Sequence, residues 1–486
     1  MNVPVVVTPA RDSMMTWSKP TEPATPKTLL AIGIAGLAGA IALPETYSGI
    51  GYFIVAVVCA GSAWMVMGRL KPLPVMWGVL SLSLVGVTVL RDADWLFMLC
   101  IMGACVAASL ALTDGRSIAG VLLSSISVGI ASLMAIPWVY RGLGALRRRA
   151  TRQSMRVVQS VLVSVILLLV FVPLLASADA AFAAILDDFW PTVDADAVAR
   201  WFLLFGLVAF GAAGASLAIS APPHFAESDR DRSRLSRVEW ALPVGILVAL
   251  FTGFAVIQFA VLFGGADYVQ RTSGTTFAEY ARSGFWQLLA VTLLTLGVVG
   301  AAARYAPRET ARDRAWLRGL LGALCVLMLV VVASALSRMW TYQQAYGFTV
   351  QRLLVEAIEL WLGVVYLLVI AAGVRLEAKW LPRAMAGAAL GGLLLFAWLN
   401  PERLIAQHNV ARYQETGKID TMYLTTLSAD AAPELIKLPP DLRECAMLDL
   451  GDRLGDKSWQ SWNLSRANAK SLVQYTPDRC RPGDRY

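Results

Sequence analysis

The chain has 486 residues, of which 57% are apolar and only 16% are Asp, Glu, Lys or Arg, against about 25% charged in a soluble globular protein. Its formal charge of +8 comes from 42 basic and 34 acidic side chains, yet residues 401–486 hold 12 of each, so the excess lies in the first 400 positions and clusters in alternate loops. A soluble fold is excluded, and the pattern is the positive-inside signature of a membrane protein, not a nucleic-acid patch.

Residues 1–27 are rich in Pro and Thr and read as a disordered tail, since the first apolar run begins only at Thr28. Twelve runs then follow at 28–43, 50–68, 74–90, 95–112, 118–139, 157–176, 201–219, 238–263, 285–303, 319–336, 353–374 and 384–399. Each is long enough, if tilted or thinned, to cross about 30 Å of hydrocarbon. The expected fold is all-α: a polytopic transmembrane helical bundle of about 12 spans over residues 28–400, with a small extracytoplasmic C-terminal region at 401–486.

Loop charge sets the orientation. Arg141, Arg147, Arg148, Arg149, Arg152 and Arg156 share one loop without an acid; Arg230, Arg232, Arg234 and Arg237 share a second; Arg304, Arg308, Arg312, Arg314 and Arg318 share a third. These are expected in the cytoplasm. The loop with Asp179, Asp187, Asp188, Asp194 and Asp196 then faces out, as does the tail, and twelve spans put both termini outside. Arg69 and Lys71 conflict with this alternation: either their loop breaks the rule or one run before residue 140 does not cross.

Ala31, Ala35 and Gly39 in the first run, and Gly387 and Gly391 in the last, allow close backbone approach, read here as packing within the bundle. Cys59, Cys100, Cys105 and Cys325 fall in apolar runs as small packing groups. Cys445 and Cys480 fall in the tail, where a disulfide between them would close a small region with little core. Pro401 at a helix start and Gly417 at its end frame an amphipathic helix, and Pro439 and Pro440 divide the tail.

Phosphate-binding glycine loops, H-E-x-x-H, C-x-x-C and G-x-S-x-G are all missing from the sequence. With His224 and His408 the only histidines, no metal ligand set, cofactor or catalytic residue is assigned.

Three stretches carry expensive polar groups. Gly264 to Trp286 joins two long runs on the outer side; Thr276 and Glu279 match a capping box, with Gly264, Gly265, Gly274 and Gly284 as bends. Its polar residues Asp267, Glu279 and Arg282 are binding candidates if it forms a lid, and an interfacial helix is the other reading. In the hairpin of the tenth and eleventh runs, Ser334, Ser337, Arg338, Thr341 and Tyr342 step along one helix, and Arg352, Glu356, Glu359, Gly363 and Tyr366 along the next. Glu356 and Glu359 are expected to face the interior with Arg338 as partner, as a brace or as a site for an ion, proton or polar substrate. The acidic outer loop could hold a divalent cation, or carry solvated charges only.

The strings GGADYVQRTSGTTFAEYARSGFWQL, SRMWTYQQAYGFTVQRL, ELWLG, LNPERLIAQHNVARY and MYLTTLSADAAPEL resemble a group of uncharacterised bacterial polytopic membrane proteins, the domain-of-unknown-function family 4173, over roughly residues 230–440. The resemblance implies a multi-pass protein of the bacterial plasma (inner) membrane with no established reaction. Three classes of function remain open: transport of an ion or polar small substrate through an outward-facing cavity, a membrane enzyme on a lipid-linked substrate, and a signalling or scaffolding subunit. The lipid bilayer is the one expected partner in all three, and membrane partner proteins belong to the last.

Overall fold

The computed structural model describes residues 15–17, 20–43, 47–68, 72–113, 118–149, 195–225, 235–273, 285–455 and 458–472, with isolated positions between 160 and 179. Helices α1 (Pro26–Ala42), α2 (Ile50–Met67), α3 (Pro72–Leu90), α4 (Asp94–Leu112) and α5 (Ile118–Arg149) are followed by α6 (Ala195–Ser220), α7 (Arg237–Ser273) and α8 (Phe285–Tyr305). A hairpin of α9 (Ala311–Tyr346) and α10 (Val350–Arg375) leads to α11 (Leu381–Trp398) and the tail helix α12 (Pro401–Thr416). Among the described residues ten helices, α2 to α11, are long and apolar enough to cross a membrane, and α1 is a shorter apolar helix. Their outer sides carry large apolar groups, such as Leu203 and Leu294, about 70% exposed. A lipid environment, not water, accounts for that surface. Eleven of the twelve expected runs thus coincide with helices, and the run at 157–176 lies outside the described residues except at isolated positions.

Local chemistry places the helix starts. The Thr310 hydroxyl accepts from Asp313 N and the Asp313 carboxylate accepts from Thr310 N, a reciprocal cap opening α9. Asn400, at φ +57°, accepts from Arg403 N at 3.2 Å to open α12, which begins with Pro401 and stops at Gly417 in the left-handed region. Gly39 and Gly36 let α1 approach α6: a Cβ on Gly39 would stand 2.6 Å from Val208. Ala31 and Ala35 are buried on the same stripe, so these small residues serve packing within the chain.

One core joins α7, α8, α9 and α10 around Leu324, Met328, Val331 and Tyr366; another joins α3, α4 and α11 around Trp77, Leu84, Leu96 and Leu390. Helix ends sort to two faces. At one, Leu235 N donates to Tyr305 O, and Arg237 pairs with Asp313 at 2.5 Å, tying the start of α7 to the end of α8 and the start of α9. At the other lies the tail.

Helix α5 does not run from one face to the other. Val128 N donates to Ser109 Oγ at 3.2 Å near the end of α4, while further along the Trp138 indole donates to Glu22 O and Gly142 sits against Ala24, just before α1. Both halves of α5 therefore lie toward the face opposite the tail. Of residues 1–27, expected to be disordered, the described ones lie there too: Met15–Trp17 (β1) pairs antiparallel with Pro223–Phe225 (β2), and Ala24 is buried. Trp17 and Ala24 cover the apolar cluster of α1, α5 and α6. The expected bends at Gly264 and Gly265 do not occur, because α7 continues through both to Ser273. Thr276, Glu279, Arg282 and Gly284 lie outside the described residues, as do Asp187, Asp188 and Asp194, whereas Asp196 is in the first turn of α6.

Candidate functional site

The tail is a docked unit. Beyond α12 come α13 (Thr421–Thr425), α14 (Ala432–Leu435), α15 (Pro440–Ala446), α16 (Leu450–Leu454) and α17 (Leu464–Lys470), around a small core of Ile405, Ala406, Leu424 and Leu435. Its contact with the bundle is polar and buried. The Asp430 carboxylate accepts from Asp92 N at 2.8 Å, Ala93 N at 3.1 Å and Ser465 Oγ at 2.5 Å. In return Asp92 accepts from Ala429 N at 3.1 Å and pairs with Arg466, whose other nitrogen donates to Ser48 O and Ser461 O. Asn463 Nδ2 donates to Thr88 O and Arg91 O at 2.8 and 2.7 Å. Glu402 accepts from Ser428 N at 2.6 Å and Trp95 Nε1 at 2.8 Å. Arg91 caps α11 by donating to Ala397 O and Trp398 O, and the Gln460 amide donates to Ile41 O at the end of α1. Satisfied networks of this kind rigidify and specify one arrangement.

Burial raises the Glu402 carboxyl above its ordinary value, the neighbouring Asp430 adding to this and the bonds from Ser428 and Trp95 opposing it. A carboxyl raised in the folded state stabilises fully below its unfolded value, about 4.3, and loses that contribution as pH rises through the folded value. Glu434, held down by Lys437 and Arg403 against desolvation, acts oppositely, but only as pH falls below about 4. Protection of α12 and the Ser428 amide from hydrogen exchange, relative to the intrinsic rate at each pH, is therefore expected to be higher at pH 5 than at pH 8. Equal protection at both would show that Glu402 does not govern docking.

Beneath the tail, the α9–α10 hairpin carries the expected acids. Glu359 is 1% exposed and, among the described residues, neither carboxylate oxygen has a hydrogen-bond partner. At 1.5 Å per residue it lies about 14 Å below Val350, where α10 starts. Its neighbours on the helix, Val355, Leu362 and Tyr366, are buried, and the Tyr366 hydroxyl donates to Thr292 O at 2.6 Å on α8. One turn nearer the tail, Glu356 lies near Gln343 of α9, whose buried side-chain amide makes no hydrogen bond among the described residues, and His408 of α12 is within electrostatic range. His408 Nδ1 is 2.8 Å from Leu404 O, and its ring packs on Phe348 at 4.4 Å.

Arg338 is not brought to either glutamate by a hydrogen bond or ion pair. Its guanidinium donates to Gln258 Oε1 on α7 at 2.9 Å, an atom that also accepts from Ser334 Oγ at 2.8 Å. Helical rotation explains this. Residues advance about 100° each, so Gln343, five beyond Arg338, is about 140° round α9; the side that meets α10 runs through Val332 and Gln343. Tyr342 stays with Arg352, whose guanidinium lies 4.4 Å from its ring. Asp267 is in α7, while Glu279 and Arg282 are outside the described residues. Cys445 is buried and disulfide-bonded; Cys480 is outside the described residues. Among the described residues no group of His, Cys, Asp or Glu is arranged to hold a metal ion.

Gln258 and Gln343 went unmarked in the sequence, although each is an amide in or beside an apolar run, the one signal they offer. No curated protein and no solved structure matches the chain. The family described as Domain of unknown function (DUF4153) matches residues 79–438, reaching well upstream of the strings that suggested the differently numbered family 4173. A match over more than half of the 486 residues, on an integral membrane bundle, means that the chain belongs to the DUF4153 family.

Proposed function

We propose that the protein conducts a proton or a small cation across the bacterial plasma membrane through the tail-side half of the α9–α10 hairpin, with Glu359 as the ion-binding group. The observation that carries this is the Glu359 carboxylate, sealed in a span with no donor on either oxygen. Such a group is expensive in hydrocarbon unless it carries a proton or a cation, and intramembrane acids of this kind mark ion pathways. Glu356, Gln343 and His408 form the step toward the tail, and Arg338 and Tyr342 flank it. The disulfide of Cys445 steadies the tail above.

In this reading the tail is extracytoplasmic and the arginine-bearing loops are cytoplasmic. Because α5 returns to the face it leaves, the loop with Arg69 and Lys71 joins the arginine side. In proteoliposomes carrying a pH-sensitive dye, the wild type should dissipate an imposed proton or cation gradient and Glu359→Gln should not. A cysteine placed in the tail should react with an impermeant thiol reagent in intact cells. Absence of flux in the wild type would favour the alternatives, an enzyme on a lipid-linked substrate or a scaffolding subunit.

A further inference from the structure

At the end of the bundle away from the tail, a cavity of about 280 Å³ opens between α8, α9, α10 and the start of α11. That volume sits at the lower edge of ligand pockets, about 300 Å³ upward. Its charged lining residues are Arg308 and Arg318, both exposed at the mouth; every other lining residue is apolar, glycine or cysteine. The floor is Cys325, 1% exposed and seven residues, about 10 Å, along α9 from Arg318. Arg308 is oriented by donating to Ala303 O at the end of α8.

Two features show that the hollow is built by the sequence. Gly322 and Gly373 line it, and a Cβ added to either meets nothing within 4 Å, so the absence of side chains there leaves open space. Leu376 ends α10 at φ 55°, where glycine is the unstrained choice, and its side chain lines the cavity.

We infer that this cavity binds one anionic amphiphile, an acyl chain lying along Leu321 and Cys325 and a phosphate headgroup held by Arg308 and Arg318. An apolar slot rimmed by two guanidiniums matches a molecule that is apolar along its length and anionic at its end, and arginine recognises phosphate through paired N–H donors. The slot opens where the lipid headgroups of the arginine-rich face would lie, which makes a membrane phospholipid the occupant. The inference is independent of whether Glu359 carries an ion.

The test uses full-length protein in neutral detergent, titrated with phosphatidylglycerol, with phosphatidylcholine of the same chains and with inorganic phosphate, and read by native mass spectrometry and melting. One phosphatidylglycerol per chain should bind at least tenfold more tightly than phosphatidylcholine and raise the Tm, with no response to inorganic phosphate. Arg308→Gln with Arg318→Gln should reduce phosphatidylglycerol to the phosphatidylcholine level. Gly322→Leu and Gly373→Leu, which fill the slot and favour helix, should lose the bound lipid with both arginines intact; their lipid-free melting reports that they fold. Unchanged lipid binding in both glycine variants would reduce the arginines to a general surface attraction and overturn the inference. So would equal affinity for the two lipids, or saturation by inorganic phosphate alone.

Discussion

Arg466→Ala is expected to release the C-terminal region from the bundle. Arg466 and Asp92 are about 6% and 1% exposed, and the one guanidinium serves the Asp92 carboxylate, Ser48 O and Ser461 O. Removing it leaves a buried carboxylate and two carbonyls without their donor, a change that costs about 3–5 kcal/mol when a buried pair loses one member. The exposed pair of Arg453 with Asp94 at 3.3 Å is the control, since such a pair contributes about 0–1 kcal/mol. Limited proteolysis and hydrogen exchange across residues 420–470 should show open tails in Arg466→Ala and wild-type protection in Arg453→Ala. Equal protection in both would mean that the tail is held by its apolar contacts instead.

The second large effect has the opposite sign. Glu359→Leu should stabilise the bundle while abolishing flux. The carboxylate lies among Val355, Leu362 and Tyr366 without a donor, and a buried unsatisfied group costs about 1–3 kcal/mol. Leucine of similar volume removes that cost, and a rise of a few degrees in Tm in detergent is expected. If Glu359 were a brace, the same change would lower the Tm.

Hydropathy and charge made the helices legible because both are local: eleven runs needed only length and an apolar composition. Direction was not legible. Helix α5 has the length and composition of a span, and only its contacts with Ala24, Glu22 and Ser109 show that it turns back. The conflict of Arg69 and Lys71 with the alternation was the sequence's trace of this. The acids of the hairpin were found by their cost, but their partner was misassigned, since stepping by three and four defines a stripe without saying which neighbour it meets. The tail network was not legible, since Asp92, Asp430 and Arg466 follow no local spacing. Their pairing spans more than 300 residues, beyond any local pattern.

That separation also sets an order of assembly. Asp92 and Arg466 lie 374 residues apart, and translation proceeds at about 5–20 residues per second. The turn between α3 and α4 therefore waits roughly 20–75 s in the membrane before its partner is made. Through that interval the Asp92 carboxylate must be kept by water or headgroups, and the same ends of α1 and α2 stay uncovered. A chain that ends between residues 400 and 466 has every apolar helix but leaves one face unsealed, a species that quality-control proteases of the tail's compartment would recognise by its free α3–α4 turn.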